Sequence, residues 1–135
     1  MKKNKFNKSW KGNKSPKKQR KYIANAPLHI RKSLISVNLS KDLRKKYGTR
    51  NVSVRKNDVV KIMRGKYKKK QGKILSVNLK KMNVVVENIQ VKKMDGSKVN
   101  IALKPSNLQI IELNTDDKKR LESPQLKTKE KVVKE

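Results

Sequence analysis

Between Val54 and Glu87 apolar residues return at every second position, break for a basic loop that carries glycine, and then resume. That period belongs to a pleated strand with one buried face, so this stretch reads as strand, loop, strand, turn, strand. Asn57-Asp58 opens the first strand, in which Val60 and Ile62 alternate with Val59, Lys61 and Met63. The loop is Arg64-Gly65-Lys66-Tyr67-Lys68-Lys69-Lys70-Gln71-Gly72, and the strand Lys73-Ile74-Leu75-Ser76-Val77 leaves it.

The β pattern continues downstream. Asn83 to Ile89 is a nearly unbroken strand run, Val91 starts another piece, and Met94-Asp95-Gly96-Ser97 is a turn, because Asp-Gly tolerates the positive φ angles of a tight hairpin. Val99, Ile101 and Leu103 alternate with Asn100 and Ala102; Lys104-Pro105-Ser106-Asn107 is a break; Leu108 to Leu113 is a last short strand. About five short strands in about sixty residues close most economically as a small SH3-like barrel, which removes most exposed edges. A barrel of that size buries roughly 60% of its unfolded surface and is marginal alone, so a bound ligand adds to its stability by linkage.

Charge says what the ligand is. The 135 residues hold 39 Lys and Arg against ten Asp and Glu, a formal +29 with a pI near 10.6, while only 33% are hydrophobic. Such a chain repels itself unless a polyanion neutralises it: nucleic acid first, an anionic membrane surface second. Residues 1–56 carry 19 basic residues and one acid, residues 57–113 carry 13 and four, and residues 114–135 carry seven and five. The most basic part is thus the part with least core-forming sequence. No window approaches the ~18 apolar residues of a membrane span, and no apolar segment follows the basic N-terminus as a secretory signal requires.

Met1 to Tyr22 has ten basic residues, no acid and no apolar period, and is expected to be disordered alone. Phe6, Trp10 and Tyr22 are spaced through it; an aromatic in a basic tail can stack on an unpaired base, or simply pack on the protein. Pro27 fits the first turn of a short helix, with Leu28, Ile30, Leu34 and Ile35 as a rough apolar stripe and His29, Arg31 and Lys32 outward. Ser40 to Gly48 is a better defined helix. Ser40 caps it, Asp42 and Lys45-Lys46 stand at the favourable ends of its dipole, Gly48 takes the left-handed C′ position, and Leu43 and Tyr47 make one apolar contact. Val52 and Val54 lead on as an extended segment. Thr115-Asp116-Asp117 can cap a short helix through Leu121 that Pro124 stops, and the mixed-charge remainder is expected to be mobile.

Catalysis is disfavoured. Five of the ten carboxylates lie in the last 22 residues, and Asp58, Glu87 and Asp95 have no reason to converge. There is no Cys, one His, and no G-x-x-x-x-G-K-[ST] phosphate loop; Gly65 and Gly72 are spaced differently and lie between strands. No catalytic residue, metal ligand, cofactor or small-molecule substrate is expected.

Several ordered pieces then point to a family. They are Pro16-Lys17-Lys18-Gln19-Arg20-Lys21, Asn25-Ala26-Pro27-Leu28-His29-Ile30-Arg31, Leu39 to Gly48, Val54-Arg55-Lys56-Asn57-Asp58 through Gly72, and Lys104-Pro105-Ser106-Asn107-Leu108. The loop and its strands resemble the KOW motif. The set, spanning about residues 15 to 113, resembles the archaeal and eukaryotic form of the large-subunit ribosomal KOW protein, number twenty-four in the universal naming and twenty-six in the older eukaryotic one. The resemblance implies a mainly β fold: an SH3-like KOW barrel with a basic N-terminal extension carrying one or two short helices. It implies binding to large-subunit rRNA close to its 5′ region, action early in subunit assembly, and a cytoplasmic place near the nascent-chain exit tunnel. Neighbouring ribosomal proteins and nascent-chain factors at the tunnel are the further partners implied. Two positions depart from the family: Asn57 stands where it usually has Gly before the Asp, and Lys69 where the loop usually has a second Gly. Asn visits left-handed conformations readily, so that turn can survive, whereas Lys69 trades permissiveness for charge.

The expected division is 1–50 extension, 51–113 barrel, and 114–135 tail. Lys and Arg would neutralise phosphates and release counterions, and folded rRNA would be recognised by shape. The expected contacts on the barrel are Arg55, Lys56, Arg64, Lys66, Tyr67, Lys69, Lys70 and Lys73, with Gly72 bending the backbone into the next strand. In the extension they are Lys17, Lys18, Arg20, Lys21, His29, Arg31, Lys32 and Arg50. For any one lysine a plain solvated charge is an equal alternative; for the cluster it is not. Three rival readings remain, the weakest a structural protein-interaction barrel for which +29 is hard to treat as incidental. A KOW module of a transcription elongation factor would normally follow a separate α/β domain, for which 1–50 is too short and basic. A chromatin-type protein would bind generic duplex DNA as tightly as folded rRNA.

Overall fold

The computed structural model describes residues 6–117 and Arg120. Seven strands form one mixed sheet: β1 (Ser36–Leu39), β2 (Asn51–Ser53), β3 (Val59–Ile62), β4 (Gln71–Asn78), β5 (Asn83–Lys92), β6 (Lys98–Leu103) and β7 (Leu108–Glu112), in the spatial order β2-β1-β7-β3-β4-β5-β6. Neighbours are antiparallel except β1 and β7, which run parallel through Asn38↔Gln109 and Leu39↔Ile110. Register shifts fall between Val59 and Val60, between Ile74 and Ser76, and between Val85 and Gln90. Such irregularities bend strands and increase twist, which lets a short sheet curl around a core. The architecture is mainly β with a few helices, consistent with an SH3-like fold.

Alternation explains the core. Val60 and Ile62 of β3, Ile74 of β4, Val84 and Val86 of β5, and Leu108 and Ile110 of β7 are buried side by side. Each fully buried Val, Leu or Ile stabilises by about 1.5–3 kcal/mol relative to exposure. The cluster also takes Ile35, Val37 and Leu39 from in and before β1, and Val52 and Val54 around β2. β1 is an element the sequence pattern does not announce, although Ile35, Val37 and Leu39 alternate there; four residues are too few to separate a strand from a helix end. The Val91 piece is continuous with β5, since Asn88 (φ 61°) absorbs a bulge and Val91 pairs with Val99.

Helix α3 (Lys41–Tyr47) forms as its caps dictate. The Ser40 hydroxyl accepts from Leu43 N at 3.3 Å, Gly48 is left-handed at φ 67°, and Gly48 N donates to Arg44 O. Leu43 and Tyr47 pack against the core. Helix α2 (Leu28–Leu34) starts where Pro27 stands as N-cap and accepts from Ile30 N and Arg31 N. Its expected apolar stripe is not buried: Leu28 is 63% exposed, and only Ile35, beyond the helix, enters the core.

In the basic N-terminal stretch, for which the sequence offers no period, the described residues form regular structure. It holds a 3-10 helix (Lys8–Gly12) and α1 (Pro16–Asn25), with Pro16 at the start of α1. The anchor is a single aromatic site, which leaves no periodic trace: Tyr22 is buried, its ring 4.9 Å from Phe6, with Ala26 buried beyond the helix end. The Gln19 amide ties the two elements by donating to Lys11 O at 2.9 Å and to Asn13 O. The expected helix from Thr115 to Leu121, and the tail beyond it, lie outside the described residues apart from residues 115–117 and Arg120.

One polar cluster joins the ends of the barrel. Asp58, fully buried at the start of β3, accepts from Arg55 N (2.8 Å), from Asn114 N (3.0 Å), and from both Nη atoms of Arg120 (2.6 and 2.9 Å). Arg120 also donates to Asn114 O and Ser53 O. Removing one partner of such a pair leaves a buried charge uncompensated. We expect Asp58→Ala to lower unfolding free energy in urea by ~3–5 kcal/mol; a loss well under 1 kcal/mol would show that the pair is dispensable.

Candidate nucleic-acid interface

The β3–β4 connection is a tight structure, not a floppy tip. Ile62 faces two residues of the opposite strand: Lys69 N donates to Ile62 O (2.8 Å) and Ile62 N donates to Lys70 O (2.9 Å). Inside it Lys68 N donates to Gly65 O and Lys70 N to Tyr67 O, and Met63 N is held by Asn107 O. Tyr67 is the anchor. It packs against the core and its hydroxyl donates to Gln90 O at 3.3 Å. With Tyr67 turned in, Arg64, Lys66, Lys68, Lys69 and Lys70 are left exposed, the Lys70 ammonium 5.5 Å from the Tyr67 ring centre. No acidic residue occurs from 59 to 86. Lys68, first of the Lys68-Lys69-Lys70 run, belongs to this group although it is not among the expected contacts.

Two backbone angles bear on the glycine substitutions. Asn57 is left-handed (φ 66°) and so is Lys69 (φ 74°). Lys69 occupies the first position of a G1-type bulge, where glycine is the usual residue because an L side chain is strained there by roughly 1–2 kcal/mol. The loop keeps its glycine-type conformation while holding a cation outward. Gly72, in contrast, is not at a bend. It lies within β4, and a Cβ there would meet Glu87 O at 2.8 Å and Val86 Cγ1 at 2.9 Å. Close approach to β5, not φ, reserves this position for glycine.

The other expected contacts fall in separate places. Lys17, Lys18, Arg20 and Lys21 are exposed along α1, and His29 and Lys32 are exposed on α2. Arg31 does not face outward. Its Nε donates to Ala26 O (2.8 Å) and its Nη2 to Ala24 O (2.6 Å), occupying carbonyls left unpaired where α1 ends, and Nη1 reaches Lys80 O at 3.5 Å. Arg55 is half-buried and ion-paired with Asp117, a partly exposed pair worth about 0–1 kcal/mol that a phosphate can replace. Lys56 and Lys73 are exposed near the β3 entrance, where Asn57 N donates to Ile74 O and Val59 pairs with Lys73. Arg50 is exposed between α3 and β2, away from both groups in the chain. The β3–β4 loop adjoins the start of β4, whereas Arg31 binds the turn after its end. Eight strand residues separate them by about 25 Å.

Titration adds little here. Asp95, at the β5–β6 turn, is held below the ordinary carboxylate range by the Ser97 hydroxyl first and the Ser97 amide second. Its bond to Ser97 is therefore complete above the ordinary carboxylate pKa and is lost as pH falls through the lowered value. Among the described residues no three His, Cys, Asp or Glu side chains gather as a metal site, and no helix is long and apolar enough to cross a membrane.

Two substitutions separate backbone from side-chain roles. Lys69→Gly releases the left-handed strain of roughly 1–2 kcal/mol but adds ~0.5–1 kcal/mol of unfolded-state entropy. Its thermal midpoint should therefore be equal or slightly higher, while the slope of log affinity for RNA against log salt loses roughly one unit. An unchanged slope would remove the Lys69 side chain from the interface. Gly72→Ala should cost ~1–3 kcal/mol by overpacking, and an unshifted melting temperature would contradict the close approach. A family model of ribosomal proteins, describing L26 of eukaryotes and its archaeal counterpart, number twenty-four, matches residues 13–127 of the chain.

Proposed function

The chain belongs to the family of ribosomal proteins that comprises eukaryotic L26 and the archaeal protein numbered twenty-four, and from that footing we infer that it binds large-subunit rRNA through its exposed cations. As a member it is a structural protein of the large subunit of the cytoplasmic ribosome and not an enzyme. The observation that carries RNA binding is the β3–β4 loop. Five cations stand outward on a loop fixed by Tyr67 and by a bulge, within a stretch that holds no acid. With the loop backbone already fixed, only side-chain freedom is lost when phosphates arrive, and counterion release supplies the favourable free energy.

The division of labour follows. The barrel, residues 51–113, offers Arg64, Lys66, Lys69 and Lys70 at one end of β4, with Lys56, Arg55 and Lys73 near its entrance. The expected extension, residues 1–50, whose β1 is part of the sheet, offers the α1 cations, His29, Lys32 and Arg50. Arg31 serves the contact indirectly by fixing how α1 meets α2. Tyr67 and Gly72 serve it by shaping the loop and the strand behind it. Binding near the 5′ region, early action in assembly and a place near the exit tunnel, beside other ribosomal proteins and nascent-chain factors, rest on the family resemblance and are proposed on that basis. Membership favours rRNA over RNA polymerase or generic duplex DNA as the partner.

Charge reversal of Lys69, Lys70 and Lys73 to Glu should weaken binding to deproteinised large-subunit rRNA at least tenfold at moderate salt, with the far-ultraviolet circular dichroism spectrum unchanged. Equal affinity would remove the loop from the interface. In cell extracts the protein should sediment with large subunits and remain there at moderate salt; recovery with RNA polymerase would overturn the reading.

A further inference from the structure

A groove of about 440 Å³ opens where the N-terminal helices meet the barrel, remote from the β3–β4 loop. Its floor is apolar: Ile23 of α1, Leu34 of α2, Met82 of the β4–β5 turn and Pro105. Ile23 and Leu34 remain 38% and 37% exposed although the core lies close by. Its rim is cationic, with Lys80, Lys81 and Lys104, all exposed, and no carboxylate lines it. Neither ion pair among the described residues uses a groove lysine. The walls are held from behind. The Arg31 guanidinium joins Ala24 O and Ala26 O to Lys80 O, Lys81 N donates to Asn78 Oδ1, and Ser36 Oγ donates to Ser33 O.

We propose that this groove receives one unstacked nucleotide of the rRNA, its base on the Ile23–Leu34–Met82–Pro105 floor and its phosphates on Lys80, Lys81 and Lys104. This rests on the rRNA-binding reading and extends it from phosphate neutralisation to capture of a base. The volume lies within the ~300–1,000 Å³ of small-ligand sites, and single-stranded bases splayed from folded RNA are what such modules take. An apolar floor accepts the face of any base, and the Ser106 hydroxyl at the rim offers a donor and an acceptor to a base edge. Charge selects the occupant. An apolar segment of a neighbouring protein would match the floor alone, whereas a nucleotide matches floor and rim, and the exposed face of α1 beside the groove continues the positive surface with Lys17, Lys18, Arg20 and Lys21.

The test uses the full chain and deproteinised large-subunit rRNA, irradiated with short-wavelength ultraviolet light so that any base touching the protein can crosslink. Photo-crosslinks are mapped by mass spectrometry, and affinity is measured in parallel. Base adducts are expected on peptides carrying Met82 and Pro105, in addition to those of the β3–β4 loop. Ser106→Trp, which fills the groove from its rim, and Leu34→Glu, which places a carboxylate on its floor, should each lose the groove adducts, keep the loop adducts and bind about tenfold more weakly. Two variants with unrelated chemistry guard against misfolding, which circular dichroism would show. Wild-type protein that binds and crosslinks at the loop but never in the groove overturns the nucleotide and leaves the rRNA-binding reading intact. So do variants of unchanged affinity. Failure of the wild type to bind rRNA overturns both. In intact subunits, linkage of Lys80 or Lys81 to a neighbouring protein's peptide, with no RNA adduct in the groove, assigns the groove to that protein instead.

Discussion

The buried carboxylate of Asp58 is the constraint on which the rest of the structure depends. It gathers the Arg55 amide before β3, the Asn114 amide after β7 and the Arg120 guanidinium into one site. A carboxylate taken out of water is costly unless every lone pair finds a donor, and here four donors reach it. Because β3 lies between β7 and β4, fixing its entrance fixes the pairing of both, and the hairpin that carries the cationic loop starts from there. A hydrophobic substitute could be equally stable; what the charged cluster adds is a single permitted arrangement of three chain segments.

The charge balance around that site explains the shape of the surface. A formal +29 leaves few acids to spend on ion pairs, and two of them, Asp58 and Asp117, hold arginines of the barrel entrance. The remaining cations are spread along loop and helices. Their mutual repulsion opposes compaction, while an aliphatic core of small extent supports it. A bound polyanion would relieve that repulsion, so on the rRNA-binding proposal recognition and folding draw on the same charges.

Local strain is tolerated where it serves that surface. Asn57 and Lys69 both adopt the left-handed conformation that glycine would take without penalty. At Lys69 the backbone conformation is dictated by hydrogen bonds to both sides of Ile62, so the side chain is carried outward whatever its identity. The bulge therefore converts a position reserved for flexibility into one that displays a charge. Arg31 illustrates the reverse: an arginine whose sequence neighbourhood suggests a phosphate contact is bonded to the protein's own backbone, because the end of α1 exposes carbonyls that a planar guanidinium can satisfy.

The sequence by itself determined what depends on neighbouring residues. Alternation at Val60 and Ile62, at Ile101 and Leu103, and at Leu108 and Ile110 specified strands. Ser40 and Gly48 specified the ends of α3, Asp95-Gly96 specified a turn, and the charge balance specified a strongly cationic molecule. Tertiary structure decided what depends on distant ones. The strand at Ser36–Leu39 exists because Leu39 meets Ile110 seventy-one positions away. The helix at Pro16–Asn25 is docked through Tyr22, and Asp58 is structural because Arg120 comes to it. Gly72 must be glycine because β5 passes within 3 Å of where a Cβ would stand. None of these leaves a periodic trace, since a contact between remote segments constrains one residue at a time. Composition announced a cationic surface; only the folded chain shows that one group of its cations stands at the start of β4 and another rims an apolar groove just past its end.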